Sequence, residues 1–146
     1  MFPNLESIKI SGADVLPLIE GGKGVAITSG LSSGAWAEAG GVGTISGVNA
    51  DSYDSNGKVI PQIYSGKSRK DRHQELIEYA ISGGITQAKI AHDTRKGNGR
   101  IHVNILWEMG GAEKVLTGIL EKAGNIIHGV TCGAGMPYRL GDICQS

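Results

Sequence analysis

Ser65-Gly66-Lys67-Ser68 offers the glycine, lysine and hydroxyl of a phosphate-cradling loop ahead of a helix. The position that should hold the first glycine of such a loop is Pro61, and no apolar strand leads into it, so the reading that stands is a capped helix start at Ser68. Glycine pairs at Gly22/Gly24, Gly41/Gly43, Gly97/Gly99 and Gly133/Gly135 would each need a third glycine to bind a dinucleotide pyrophosphate. The completing positions are Ile27, Ser46, His102 and Tyr138, so that fingerprint is absent. His73, His92, His102 and His128 have no HxxxH or HExxH spacing, and no metal site is expected from them. Cys132 stands where a nucleophile would sit at a strand end, but no basic partner is fixed beside it in sequence, so it reads as a small packed thiol. Trp36 reads as helix packing and Trp107 as the wall of a pocket.

The elements that must carry these residues alternate. Apolar runs predict strands near residues 17–20, 42–47, 101–107 and 126–131, the first beginning at Pro17 or Leu18 because proline has no N–H for a ladder. Ser29 caps a first helix with Leu31, Ala35 and Ala39 on one side and glycine beyond its end. Residues 49–70 form an inserted polar loop rich in turn formers. A helix from Ser68 to about Ala80 is interrupted at Gly83-Gly84, and a second helical piece runs from Ile85 to about His92. Val115, Leu116, Ile119 and Leu120 mark a helix over 112–123 that Gly124 ends, and Tyr138 onward begins another. A βα series of this kind is an α/β fold with a parallel sheet and right-handed crossovers. Sites in such folds lie beyond the carboxyl ends of the strands, which selects residues 21–24, 47–51, 107–110 and 131–137.

Those strand-end segments, taken in order, resemble a family. Leu16-Pro17-Leu18-Ile19-Glu20-Gly21-Gly22-Lys23-Gly24, the helix Gly34-Ala35-Trp36-Ala37-Glu38-Ala39-Gly40-Gly41 with Val42-Gly43-Thr44-Ile45, then Val103-Asn104-Ile105, and Gly133-Ala134-Gly135-Met136-Pro137 are similar to the N-terminal portion of the nitronate monooxygenase (2-nitropropane dioxygenase-like) family. The resemblance implies the N-terminal half of an FMN-dependent TIM (β/α)8 barrel, covering the chain outside residues 49–100. It implies FMN as cofactor, contacted by Gly21, Gly22, Lys23 and Asn104, and oxidation of a small alkyl nitronate with O2 as electron acceptor. The glycines would let main-chain N–H groups approach a flat ring edge-on, and the Asn104 amide both donates and accepts toward a pyrimidine edge. Lys23 departs from the methionine common in the family; a cation there would favour an anionic reduced flavin.

A whole barrel of this type takes about 250 residues, so the 146 residues here are expected to form a single partial domain over 1–146. The phosphate-binding loops and the family's catalytic histidine fall beyond the fourth strand, and no catalytic residue is assigned to this chain. Self-association, or the C-terminal half of the barrel, is expected to cover the open edges, and the chain alone is expected to hold FMN weakly or not at all. Two alternatives stay open: an FMN-dependent enoyl-thioester reductase, and a non-catalytic truncated or split-gene remnant. Lys+Arg and Asp+Glu both number 14, and a net charge of zero argues against nucleic acid as partner. Neither a secretory leader nor an apolar membrane-spanning run is seen, which sets a cytoplasmic expectation, and two cysteines make no disulfide framework.

Overall fold

Along the central strand, Ile101, Val103 and Ile105 alternate with Arg100, His102 and Asn104, and the two sets face opposite ways. The first set is fully buried under helices, and the second lines the other face of the sheet. The computed structural model describes residues 5–145. In chain order its elements are β1 (Ile8–Ile10), β2 (Ala13–Val15), α1 (Gly30–Glu38), β3 (Val42–Ser46), α2 (Arg69–Thr94), β4 (Arg100–Leu106), α3 (Ala112–Ala123), β5 (Gly129–Gly133) and α4 (Leu140–Gln145). β3, β4 and β5 form one parallel sheet in that order, with Ser46 opposite Asn104 and Asn104 opposite Thr131. The expected α/β class and parallel sheet are present.

The strand expected at 17–20 is reduced to one parallel bridge between Ile19 and Val42. Val42 N–H donates to the Leu18 carbonyl at 2.9 Å and Glu20 N–H donates to the Val42 carbonyl at 2.8 Å, after which the chain leaves the sheet. Pro17 contributes no donor at the other end, so the pairing has no room to lengthen. The expected strand at 126–131 sits later, at Gly129–Gly133: α3 ends at Ala123 with Gly124 as its C-cap, as expected, but Gly124 does not release the chain into a strand. It keeps a right-handed helical φ of −60° and leads into a 3-10 turn at Gly124–Ile126. Nothing before Val15 is assigned from sequence, yet β1 and β2 form an antiparallel hairpin. Its turn, Ser11-Gly12, has φ of 48° and 79°, the mirror-image geometry that suits strand twist.

Two helix expectations are corrected. The helix and helical piece flanking Gly83-Gly84 are one continuous helix of 26 residues, α2, capped reciprocally by Ser68 and Asp71. Its two glycines serve packing: a Cβ at Gly83 would overlap the Ala50 carbonyl, and one at Gly84 would overlap Ile119. In α1 the buried side is Gly30, Ser33, Gly34 and Ala37, whereas Leu31 is 66% exposed and Trp36 40% exposed. The smallest side chains face inward because α1 lies close against α2, with Gly30 on Gln87 and Ile90 and Gly34 on Ala91 and Thr94. Trp36 therefore does not serve as buried helix packing.

Residues 49–68 carry only a bridge between Tyr53 and Val59. They are tied to α2 through the Tyr79 hydroxyl, which accepts from Ile63 N–H at 3.0 Å and donates to the Ile63 carbonyl at 2.9 Å. The core between sheet and helices is built from Ile45, Ile101, Val103, Ile105, Leu116 and Ile119, all buried.

Gly83→Ala tests the packing reading. Alanine is favoured over glycine inside a helix by about 1 kcal/mol, so propensity alone predicts a gain. Overlap with a backbone carbonyl that cannot swing aside should outweigh it, with a cost of about 1–3 kcal/mol for overpacking. Urea denaturation should show net destabilisation for Gly83→Ala but none for Gly141→Ala, where the space is open.

Candidate functional site

After Glu20 the edge of β3 is completed by groups other than a strand. Thr44 N–H donates to the Glu20 carboxylate at 2.9 Å, Ser46 N–H donates to the Thr28 carbonyl at 3.0 Å, and the Val48 carbonyl accepts from Ala26 N–H at 3.1 Å. Glu20 is 6% exposed, so this is a buried carboxylate used as a ladder acceptor. The loop between Glu20 and Thr28 is thereby released from pairing and crosses toward β4. Its own turn is held by Lys23 N–H donating to Thr28 Oγ1 at 3.2 Å, while Thr28 N–H donates back to the Lys23 carbonyl at 3.3 Å.

This crossing brings Gly22 onto Asn104. A Cβ at Gly22 would coincide with the Asn104 side chain, so only glycine passes there. Asn104 is 6% exposed. Its carbonyl accepts from Gly47 N–H at 2.8 Å, but among the described residues its side-chain amide makes no hydrogen bond. The residue is largely buried, but its amide oxygen and nitrogen are not sealed from solvent, so they are open to a partner from outside the protein. Ser46, Asn104 and Thr131 stand in one row across the three strands. Thr131 is exposed, and Ser46 Oγ is engaged with the Val48 backbone. Below this row Thr44 Oγ1 is buried without a partner. Gly21 lies next to the contact with open space around it, and Lys23 is exposed. Of the four residues selected from sequence, Gly22 and Asn104 meet; Gly21 and Lys23 flank them on the loop. The buried Glu20 acceptor, which positions the loop, is a contact that sequence reasoning missed, since a glutamate at the end of an apolar run gives no sign that it will replace a strand.

The amino end of the same face is closed rather than open. His102, within β4, lies over Gly129, with Nε2 3.1 Å from Ser11 Oγ of the hairpin turn, and the Arg100 guanidinium donates to the Ser11 carbonyl at 3.1 Å. Burial lowers the His102 pKa. His128, just before β5, accepts from Ile101 N–H at Nδ1 and meets Arg95 Nη1 at 3.1 Å through Nε2. Burial first, then the nearby Arg95 and Arg100 charges, pull its pKa down to about 4. Both imidazoles thus fasten elements together. Among the described residues no three His, Cys, Asp or Glu side chains come together as a metal site.

The remaining candidates resolve locally. Ser68 caps α2, and the N–H groups of Ser65 and Gly66 both donate to the Glu75 carboxylate, at 3.1 and 2.9 Å, so this loop already holds its own anion. The Cys132 thiol is half-buried, 3.9 Å from the Gly133 carbonyl. Trp107 is part-buried on the core, with the Gly135 turn against it. Among the described residues no helix is long and apolar enough to cross a membrane. Neither a protein-family model nor a curated protein matches this chain.

A histidine held below its ordinary value takes up its proton more readily in the unfolded chain. The His128 contribution to stability should therefore be complete above about pH 6.5 and decline as pH falls from 6.5 toward about 4. Urea midpoints at pH 7.5 and pH 5 should differ less for His128→Gln than for the parent; an equal loss in both would remove His128 from this role.

Proposed function

We propose that this chain carries the ring-edge half of an FMN site in a nitronate monooxygenase-like oxidoreductase, on a sheet that forms the N-terminal arc of a (β/α)8 barrel. The observation that carries the reading is the Asn104 side chain, nine-tenths buried, without a hydrogen-bond partner among the described residues, and pressed by a glycine. A free amide suits a cofactor edge that presents both a donor and an acceptor, and Gly22 lets the backbone come close enough to contribute. Residues 18–20, β3, β4 and β5 stand side by side in chain order, an order suited to a barrel arc rather than to a sheet whose strand order reverses.

In this reading Asn104 orients the polar edge of the ring, the Gly21 and Gly22 backbone lies along it, and Lys23 adds positive charge on the same loop. Bound FMN would take two electrons from an alkyl nitronate and deliver them to O2. The Ser65–Ser68 loop does not serve the phosphate, since Glu75 occupies its amides. The chain's own contribution is thus recognition of the ring rather than of the phosphate.

Flavin fluorescence titration tests this. Riboflavin and FMN should bind the chain with similar, weak affinity. Asn104→Ala should weaken both by about 1–3 kcal/mol, the cost of leaving buried polar groups unpaired; about 1.4 kcal/mol is a tenfold change in Kd. Unchanged binding in Asn104→Ala, or a large preference for FMN over riboflavin, would place the ring elsewhere.

A further inference from the structure

We propose that two copies of this chain join edge to edge, the free edge of β5 in each receiving residues 18–20 of the other, so that two arcs close one ring of parallel strands. This rests on the barrel-arc reading of the sheet but not on the flavin. Among the described residues β5 pairs only with β4, and residues 18–20 pair only with β3. Trp107 N–H donates to the Gly133 carbonyl at 3.0 Å and Val103 stands opposite Val130, so by strand alternation Gly129, Thr131 and Gly133 bond β4 and the backbone groups of Val130 and Cys132 project away from it. At the opposite edge Leu18 and Glu20 face β3, which leaves the Ile19 backbone projecting outward. Both edges run in the same direction, so a head-to-tail pairing of the two is parallel, like the rest of the sheet.

Proteins guard free edges with lysine, proline or bulges. The β5 sequence Gly129-Val130-Thr131-Cys132-Gly133 carries no charge and no proline. Residues 18–20 have a single charge, and it is turned inward to Thr44. A concavity with apolar side chains flanks each edge. Beside residues 18–20 a shallow groove of about 340 Å³ is lined by Leu18, Ala35, Trp36 and Ala39. Beside β5 a cleft of about 600 Å³ is lined by Leu120, Ile127, Val130 and Ile143 together with the polar Thr117, Glu121 and His128. Helices of a barrel pack around its outside, so pairing of the strands sets α1 of one copy next to α4 of the other. That neighbour covers Trp36, which is 40% exposed, and fills the cleft beside β5. Ile19, 53% exposed, gains a neighbouring strand in the same step. A net charge of zero puts no self-repulsion between copies. Two arcs of three strands and one bridging segment supply eight strand positions, the number that an interior filled by side chains needs. Each closed ring would contain two copies of the Gly22–Asn104 contact, facing one another.

Light scattering on the eluted 146-residue chain should report twice the 15.2 kDa of one copy, falling toward one copy on dilution. Cys132→Pro removes an outward N–H while leaving the β4 ladder intact, and it should give a folded single copy by circular dichroism. Should that variant fail to fold, a second decides. With Cys132→Ser and Cys144→Ser as background, Ile19→Cys plus Thr131→Cys should form a disulfide between copies on mild oxidation. A folded single copy in the parent at all concentrations would overturn the proposal. So would a doubled mass that the Ile19→Cys/Thr131→Cys pair never cross-links, because the contact would then lie on another surface. None of these readouts uses flavin, so this proposal and the flavin reading fail separately.

Discussion

The place where the first strand abandons the sheet determines the rest of the site. Had residues 21–28 continued alongside β3, their backbone would have been spent on the ladder and Gly22 would have stayed at the edge. Instead Glu20 turns its carboxylate to Thr44, and Thr28 returns its carbonyl to Ser46, so the β3 edge remains satisfied while the seven residues between cross toward β4. A buried N–H left without an acceptor would cost about 1–3 kcal/mol, which is why a departure of this kind needs a substitute acceptor. The charged carboxylate is the stronger choice, since hydrogen bonds to ionised groups exceed neutral ones. Glycine at 22 then becomes a steric necessity, because the crossing ends on the Asn104 side chain.

Much of this was legible in sequence, and the exceptions share a cause. The β4 pattern, the helix at 112–123, the Ser29 and Ser68 caps and the parallel alternation all follow from local periodicity and from residues that act on their immediate neighbours. Gly83-Gly84 misleads because a glycine pair signals a break by propensity, whereas here tertiary packing makes use of the missing side chains against Ala50 and Ile119. The α1 face misleads for the same reason. Leu31 is the apolar residue that periodicity assigns inward, but close approach to α2 admits only Gly30, Ser33, Gly34 and Ala37. The hairpin at residues 8–15 carries a readable Ser-Gly turn signal, but its strands of three residues are too short for alternation to mark. Of the candidate site, the residue types at Gly22 and Asn104 were readable from the chain, and their contact was not, since it depends on a crossing loop 82 positions earlier in sequence.

The two sheet faces are finished differently, and that difference underlies placing the proposed site on one of them. The side of Ile101, Val103 and Ile105 is apolar, fully covered by α2 and α3, and leaves nothing for a ligand to satisfy. The other side carries Thr44, Ser46, His102, Asn104 and Thr131. At its amino end the hairpin supplies partners: Ser11 meets both His102 and Arg100, so those polar groups are spent on holding the fold. Toward its carboxyl end the partners run out. There the Asn104 amide makes no hydrogen bond among the described residues and Thr131 is exposed, while midway along the face, opposite His102, Thr44 Oγ1 is buried without a partner. Polar groups that folding has largely desolvated and not paired are those for which a ligand is a low-cost partner, since much of their water is already lost. The change from paired to unpaired polar groups along one face, with a hairpin at one end and a departing strand at the other, is what supports the proposed contact at Asn104 rather than at His102 or His128.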